Sequence, residues 1–183
     1  IGYPMVVKVA SRDVPHRSDA GAVVLGVTND EALRAAVARI ASNVRSHLPK
    51  AVIDGYELQE ELVDCVEAMV GFQATPPYGA LVIVGSGGVL VELQADKATR
   101  LCPVTVDEAC AMIGTTRLGR TLGGYRGLIP KTDITPLARL VAALSELAAA
   151  CHGRLAECDL NPVLIRKGSG EVRIVDALLV AGR

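Results

Sequence analysis

Aromatic residues are nearly missing: one Phe, four Tyr and no Trp in 183 residues. A core must therefore be assembled from Val, Leu, Ile and Ala. Hydrophobic residues make up 50% of the chain and charged residues only 21%, which excludes a disordered chain and leaves room for one domain or two small ones. An excess of charge of one sign is also lacking. The formal net charge is −1, so nothing supports general attraction to nucleic acid or to an anionic membrane, and any phosphate binding has to be local. The five cysteines (Cys65, Cys102, Cys110, Cys151 and Cys158) are odd in number and form no CxxC pair. That argues against a disulfide framework or a zinc site and predicts a reducing, cytoplasmic setting. No apolar run is long enough to cross a membrane: the best, Ala80 to Leu93, is broken by Gly85, Gly87 and Gly88. No signal peptide is visible. The chain opens at Ile1-Gly2-Tyr3-Pro4 without an initiator Met and enters a strand at once, which predicts a piece of a larger protein cut near or inside a domain.

What is present alternates between the two hydrophobic periods. Met5 to Ala10 is a Val-rich strand, Ser11 to Gly21 a polar loop and Ala22 to Val27 a returning strand, together a long β-hairpin. A helix opens at Asn29-Asp30-Glu31, with Asp30 read as the N-cap, and runs to about His47. Strands are predicted over Ile53–Leu62, Val66–Ala74, Leu81–Val84 and Val89–Leu93. Thr105 caps a short helix through Ala109 and Ile113, and Gly119 to Gly127 reads as a Gly/Arg-rich loop. Thr135-Pro136 begins the clearest helix, whose Leu137, Leu140, Val141, Leu144 and Leu147 hold an apolar stripe to about Ala150. Without regular βαβ alternation the class is α+β.

The densest chemistry lies near the end, where Glu157-Cys158-Asp159-Leu160-Asn161-Pro162 is followed by a charged turn and a second strand ending in Asp176. Alternation sets Asp159 and Asn161 on one face. Oxygen ligands of this kind suit Mg²⁺, which takes one or two carboxylates and completes its shell with waters and phosphates. Solvated strand polarity is the competing reading. Near the start, Lys8 sits among Val6, Val7 and Val9, where it must face solvent or pair with an anion. The loop after it, with Arg12, His16, Arg17 and Ser18, carries the hydroxyl, guanidinium and backbone donors of a phosphate-covering loop, and His16 could accept a transferred group covalently. Carboxylates crowd Gln59-Glu60-Glu61 and Glu67, a segment whose functional reading is adenine and ribose recognition. Gly85-Ser86-Gly87-Gly88 reads as a tight turn or a close backbone approach. Arg100 and Arg126 each read as a phosphate ligand or a surface ion-pair partner.

In order along the chain, these pieces resemble the ATP-grasp domain of ADP-forming acyl-CoA synthetases and, more distantly, the succinyl-CoA synthetase β subunit. The matching segments are Gly2 to Val9, His16-Arg17-Ser18-Asp19, Gln59-Glu60 through Glu67, Gly87-Gly88 to Glu92, Asp96 to Arg100, Tyr125-Arg126-Gly127, Glu157 to Pro162 and Val175-Asp176. The resemblance implies an ATP-grasp fold of two α+β subdomains: residues 1–58 would be the first, N-terminally incomplete, and residues 59–183 the second. It implies ATP or ADP and Mg²⁺ as cofactors. Lys8 and Ser18 would contact the phosphates. Gln59, Glu60 and Leu62 would line the adenine site, and Glu67 would accept from the ribose. Asp159, Asn161 and Asp176 would hold Mg²⁺, with Arg100 nearby.

His16 falls where that family places a phospho-accepting histidine, and Arg17 beside it would keep the imidazole unprotonated. The implied reaction is acid + ATP + CoA giving acyl-CoA, ADP and phosphate. Its partners would be CoA-binding and ligase domains or subunits, together with CoA and a small carboxylic acid. The alternatives are a regulatory synthetase-like module of a protein lysine acetyltransferase and an ATP-grasp ligase working without phosphohistidine. Two departures stand out. Asp64-Cys65 replaces a usual Gly pair before Glu67. The helix and strand that ordinarily precede this region, with a further ATP-contacting cation, are missing, which predicts poor nucleotide binding by this piece alone.

Overall fold

The structure, a computed structural model, describes the whole chain apart from residues 15, 16, 18, 89–95, 125–128, 152 and 183. His16, Ser18, Arg126 and the strand predicted over Val89–Leu93 lie outside the described residues. The chain divides into two compact units, Ile1–Leu62 and Val63–Arg183; the first therefore holds the whole of Gln59–Leu62.

In the first unit, β1 (Met5–Ala10) is the middle strand of a three-stranded antiparallel sheet, between β2 (Val23–Val27) and β3 (Gly55–Glu60). Met5, Val7 and Val9 form a core with Val24 and Val27 and with Ala36, Ile40 and Val44 of helix α1 (Asp30–His47). Those three helical residues recur every four positions and so share one face. The cap of α1 differs from expectation. Asn29 is the N-cap, its side chain accepting from the Ala32 N–H at 2.8 Å, while Asp30 and Glu31 occupy the first turn, where negative charge suits the helix dipole.

The loop after β1 is tied down at several points. Val14 and Ala20 enter the core, Asp13 accepts from the Val52 N–H at 2.9 Å, and Asn43 of α1 donates to the Gly21 carbonyl at 2.8 Å.

The second unit is a six-stranded antiparallel sheet with helices on one face. Its path is β6 (Lys97–Leu101), β5 (Ala80–Ser86), β4 (Cys65–Ala74), β7 (Leu155–Arg166) and β8 (Val172–Ile174), and β9 (Leu178–Ala181) also pairs with β7. Ala68, Val70 and Phe72 of β4, Val82 and Val84 of β5, and Cys158, Leu160, Val163 and Ile165 of β7 face the helices. These are α2 (Val106–Thr115), α3 (Arg117–Leu122) and α4 (Thr135–Cys151). Thr105 closes α2 with a full capping box through Glu108, as its sequence signature predicts. The predicted Gly119–Gly127 loop is corrected: residues 117–122 are helical, because Leu118 and Leu122 bury fully against the sheet and outweigh the glycine's low propensity. Among the described residues no helix is long and apolar enough to cross a membrane.

Candidate functional site

Because the even-numbered residues of β4 and the helix-facing residues of β7 are buried, the opposite sheet face carries Glu67, Met69, Gly71, Asp159 and Asn161. The pairing between β4 and β7 runs Gly71↔Asp159, Val70↔Leu160, then Ala68↔Val163. Two residues, Asn161 and Pro162, thus oppose Met69 alone. This bulge lets Leu160 and Val163 both face the core while Asn161 stays on the open face, and proline is tolerated there because the ladder makes no demand on its nitrogen. Opposite Asp159 stands a glycine, so no side chain covers that carboxylate from β4. Gly71 cannot be enlarged without a shift of the backbone: a Cβ would lie 2.6 Å from the Cys158 carbonyl oxygen.

Asp176 arrives differently from expectation. It lies beyond the end of β8 at Ile174 and before β9 begins at Leu178. β8 pairs with residues 163–165 of β7 and β9 with residues 155–159, so the link containing Asp176 spans the gap left opposite the bulge. The Val175 N–H donates to the Pro162 carbonyl at 3.3 Å.

The proximity registers electrostatically. Burial first, then the charges of Glu157 and Asp176, push the Asp159 carboxyl above its ordinary value. The structure therefore sets Asp159 and Asn161 on one face and brings the charge of Asp176, carried by a link and not by a strand, close enough to act on Asp159. Among the described residues no three His, Cys, Asp or Glu side chains cluster as a metal cage. Two mutually repelling carboxylates with an amide oxygen are instead the donor set that fits Mg²⁺, which keeps waters and phosphate oxygens in its shell.

A glycine turn joins this group to Glu67. The Gly87 N–H donates to the Glu67 carbonyl at 3.0 Å, and the Gly88 N–H donates to Asn161 Oδ1 at 3.1 Å. Gly88 has φ +84°, and a Cβ there would fall 1.9 Å from Glu67 Oε2. Of the two readings of this turn, close backbone approach is the one observed.

Asp96, immediately before β6, anchors the neighbouring end of the sheet. It accepts from Ser86 Oγ at 2.6 Å, from the Arg117 N–H at 2.7 Å and from the Leu118 N–H at 3.0 Å. Burial alone would raise its pKa, but these bonds outweigh burial and hold the carboxyl below its ordinary range. Sequence reasoning gave Asp96 no such role, because its partners are distant in the chain.

Arg100 is not brought to the open face. It pairs across the sheet with Val82, a helix-facing core residue, so it shares that side, and it forms an ion pair at 3.6 Å with Glu108 of α2. Of its two readings, the surface ion pair is the one the structure contains.

In the first unit Lys8 is 7% exposed, which overturns a solvent-facing lysine. Across the sheet it faces Glu57, and Val6 faces Gln59. Gln59 donates to Glu57. Lys8, Glu57 and Gln59 thus share the face away from the Val7–Val9 core. Glu60 pairs with Met5 and alternates to the other side. Leu62 lies past β3, where the Glu61 N–H still bonds the Pro4 carbonyl and the Glu61 carboxylate accepts from the Gly26 N–H.

The sequence matches the profile of the ATP-grasp domain over residues 1–180. The chain belongs to the ATP-grasp family. It is 38% identical to the ADP-forming acetate–CoA ligase I of Archaeoglobus fulgidus, over 100% of this chain and 26% of that protein. It is 34% identical to the β subunit of the ADP-forming acetate–CoA ligase I of Pyrococcus furiosus, over 98% of this chain and 76% of that subunit. The chain thus spans about a quarter of the single-chain ligase. Among solved structures it resembles the dinucleotide-forming acetyl-coenzyme A synthetase 1 of Ca. Korarchaeum cryptofilum. In that protein's complex with coenzyme A and Ca-AMPCP the TM-score is 0.82 at 31% identity, covering 99% of this chain and 77% of that one. In its complex with coenzyme A and Mg-AMPPCP, where a phosphohistidine segment points towards the nucleotide-binding site, the TM-score is 0.75 at 29% identity, covering 99% and 78%. The two α+β units described above agree with the α+β class read from the residues and with the ATP-grasp fold that the resemblance implies.

Proposed function

We propose that this chain is the nucleotide-binding part of an ADP-forming acyl-CoA synthetase, moving a phosphoryl group between ATP or ADP and a histidine. The observation that carries the reading is the open-face cluster of Asp159, Asn161 and Asp176, in which burial and like charge raise Asp159. That arrangement is poised for a divalent cation and costly without one. Mg²⁺ held there would neutralise phosphate charge, the main demand of phosphoryl transfer.

The chain's own residues supply the rest. Lys8, buried on its strand, binds and orients the phosphates as a fixed positive charge. Glu67 accepts from ribose hydroxyls, and the Gln59–Leu62 segment meets the adenine edge through backbone groups, with Ser18 also on the nucleotide. His16 is the phosphoryl carrier. Its unprotonated imidazole nitrogen forms the bond to the γ-phosphorus as the bond from that phosphorus to the β,γ-bridging oxygen breaks, and the electron pair leaves on ADP. The carrier then delivers the group to partner domains that handle CoA and the carboxylic acid. The ligase names of the relatives and the phosphohistidine segment of the Korarchaeum neighbour support this reading over a regulatory module.

The deciding experiment is phosphorylation of the intact protein by γ-labelled Mg-ATP. An acid-labile, base-stable label on His16 is expected. Undiminished labelling of His16→Ala would remove His16 from the mechanism.

A further inference from the structure

The Gly87–Gly88 turn lies between two side chains to which the proposed function gives separate tasks, and the ordinary roles of a turn do not explain its geometry. Gly88 directs its N–H at Asn161 Oδ1 at 3.1 Å, across 73 residues of chain. On its other side the space a Cβ would need is taken by Glu67 Oε2, only 1.9 Å from that position. Gly87 is held as tightly: its N–H bonds the Glu67 carbonyl, and a Cβ there would meet the Ala68 backbone at 2.4 Å. The backbone of the turn is therefore fixed to β4, and the one donor it projects forward is spent on Asn161.

An amide side chain has two faces that differ in chemistry, an oxygen acceptor and an NH₂ donor. On an open sheet face with carboxylates nearby, an unheld amide would turn its NH₂ towards them. The Gly88 N–H opposes that flip. It takes one lone pair of Oδ1 and leaves the other for a cation, so the residue is presented as an oxygen ligand.

We propose that Gly88 is a positioning residue that sets the Asn161 amide for metal binding while leaving the room Glu67 needs. The proposal rests on the reading of Asn161 as a Mg²⁺ ligand. Three properties of this glycine serve it together: an N–H that donates to Oδ1, a left-handed φ of +84°, and the absence of a Cβ.

The test is a double-mutant cycle on the intact protein, measuring the Mg²⁺ concentration needed for half-maximal ADP binding. Gly88→Ala, whose methyl and left-handed φ would shift the N–H away from Oδ1, and Asn161→Ala, which removes the ligand oxygen, are each expected to raise that concentration about tenfold. The double variant is expected to fall short of the product of the two single effects, because Gly88 acts on the metal through that side chain even though its added methyl also presses on Glu67. Effects that multiply in the double variant would overturn the proposal.

Amide hydrogen exchange at Gly88 gives a readout that does not depend on Gly88→Ala folding. Protection is expected in the unaltered protein and in Asn161→Asp, which keeps an acceptor, and loss of protection in Asn161→Ala. Unchanged exchange in Asn161→Ala would also overturn it. If neither Asp159→Asn nor Asn161→Ala altered the Mg²⁺ requirement, the metal assignment itself would fail and this proposal with it. That outcome is distinct from a cycle in which both matter but Gly88 is independent of them.

Discussion

Replacing Asp96 by Asn should loosen the second unit by an amount that follows from its three accepted bonds. Oδ2 receives Ser86 Oγ and the Leu118 N–H, and Oδ1 receives the Arg117 N–H. An asparagine keeps one oxygen. Whichever way its amide lies, its NH₂ confronts one of the two backbone N–H groups at the start of α3, while the Ser86 hydroxyl can rotate to suit. One backbone donor is stranded and the other bonds a neutral oxygen, a cost of about 2 kcal/mol. Asp96→Ala strands both donors and should cost about 3–4 kcal/mol. For a unit of this size each kcal/mol lowers Tm by about 4 °C, so the expected drops are about 8 °C and about 14 °C.

The pH dependence provides a second arm. Because the folded pKa of Asp96 is depressed, its contribution is present above the unfolded carboxylate value and is lost as pH falls through the folded one. The difference between native protein and Asp96→Asn should therefore be constant near neutrality and shrink in strong acid. Thermal unfolding followed by circular dichroism across that range measures both. A Tm for Asp96→Asn within about 2 °C of native, the scatter of a substitution that touches nothing, would refute the argument that these bonds hold the end of the sheet.

Two further outcomes concern the open face. The Asp159 carboxyl is raised by burial and by Glu157 and Asp176. Protons should therefore displace Mg²⁺ from it at a higher pH than from an ordinary carboxylate. The same shift means that, without metal, ionised Asp159 costs stability above its folded pKa, and that cost is relieved as pH falls. Metal-free Asp159→Asn should consequently be at least as stable as native protein at neutral pH while losing the Tm rise that Mg²⁺ with ADP produces; a lower metal-free Tm would contradict the assigned cause. Gly71→Ala forces a methyl to within 2.6 Å of the Cys158 carbonyl, which should cost about 1–3 kcal/mol as overpacking, measured by urea titration. Because the strain falls beside Asp159, the Mg²⁺ requirement for ADP binding should rise as well.

Helices and strands with a strong period were legible in the sequence. The apolar positions of β1 and the stripe of α4 were sufficient signals, and the Thr105–Glu108 spacing announced its capping box. Neighbouring positions within such signals were less legible. Asn29 and Asp30 are both good caps, and only the backbone angle, extended at Asn29, separates them. β6 and β9 escaped notice because neither alternates clearly: β9 is exposed along its length and exists through its pairing with β7. Arg100 had two open readings until its cross-strand partner Val82 placed it on the helix side.

By itself the sequence determined the residue types of the site, their order, the α+β class, and that Asp159 and Asn161 share a face, since strand alternation is a local property of covalent geometry. Tertiary structure alone decided three things. A bulge keeps Asn161 outward, the link after β8 carries Asp176 within electrostatic reach of Asp159, and a glycine turn seventy-three positions away meets the Asn161 amide. Such contacts join segments whose separation along the chain leaves no local pattern. They depend on sheet register, which is set by the burial of whole strands and not by any residue in the site.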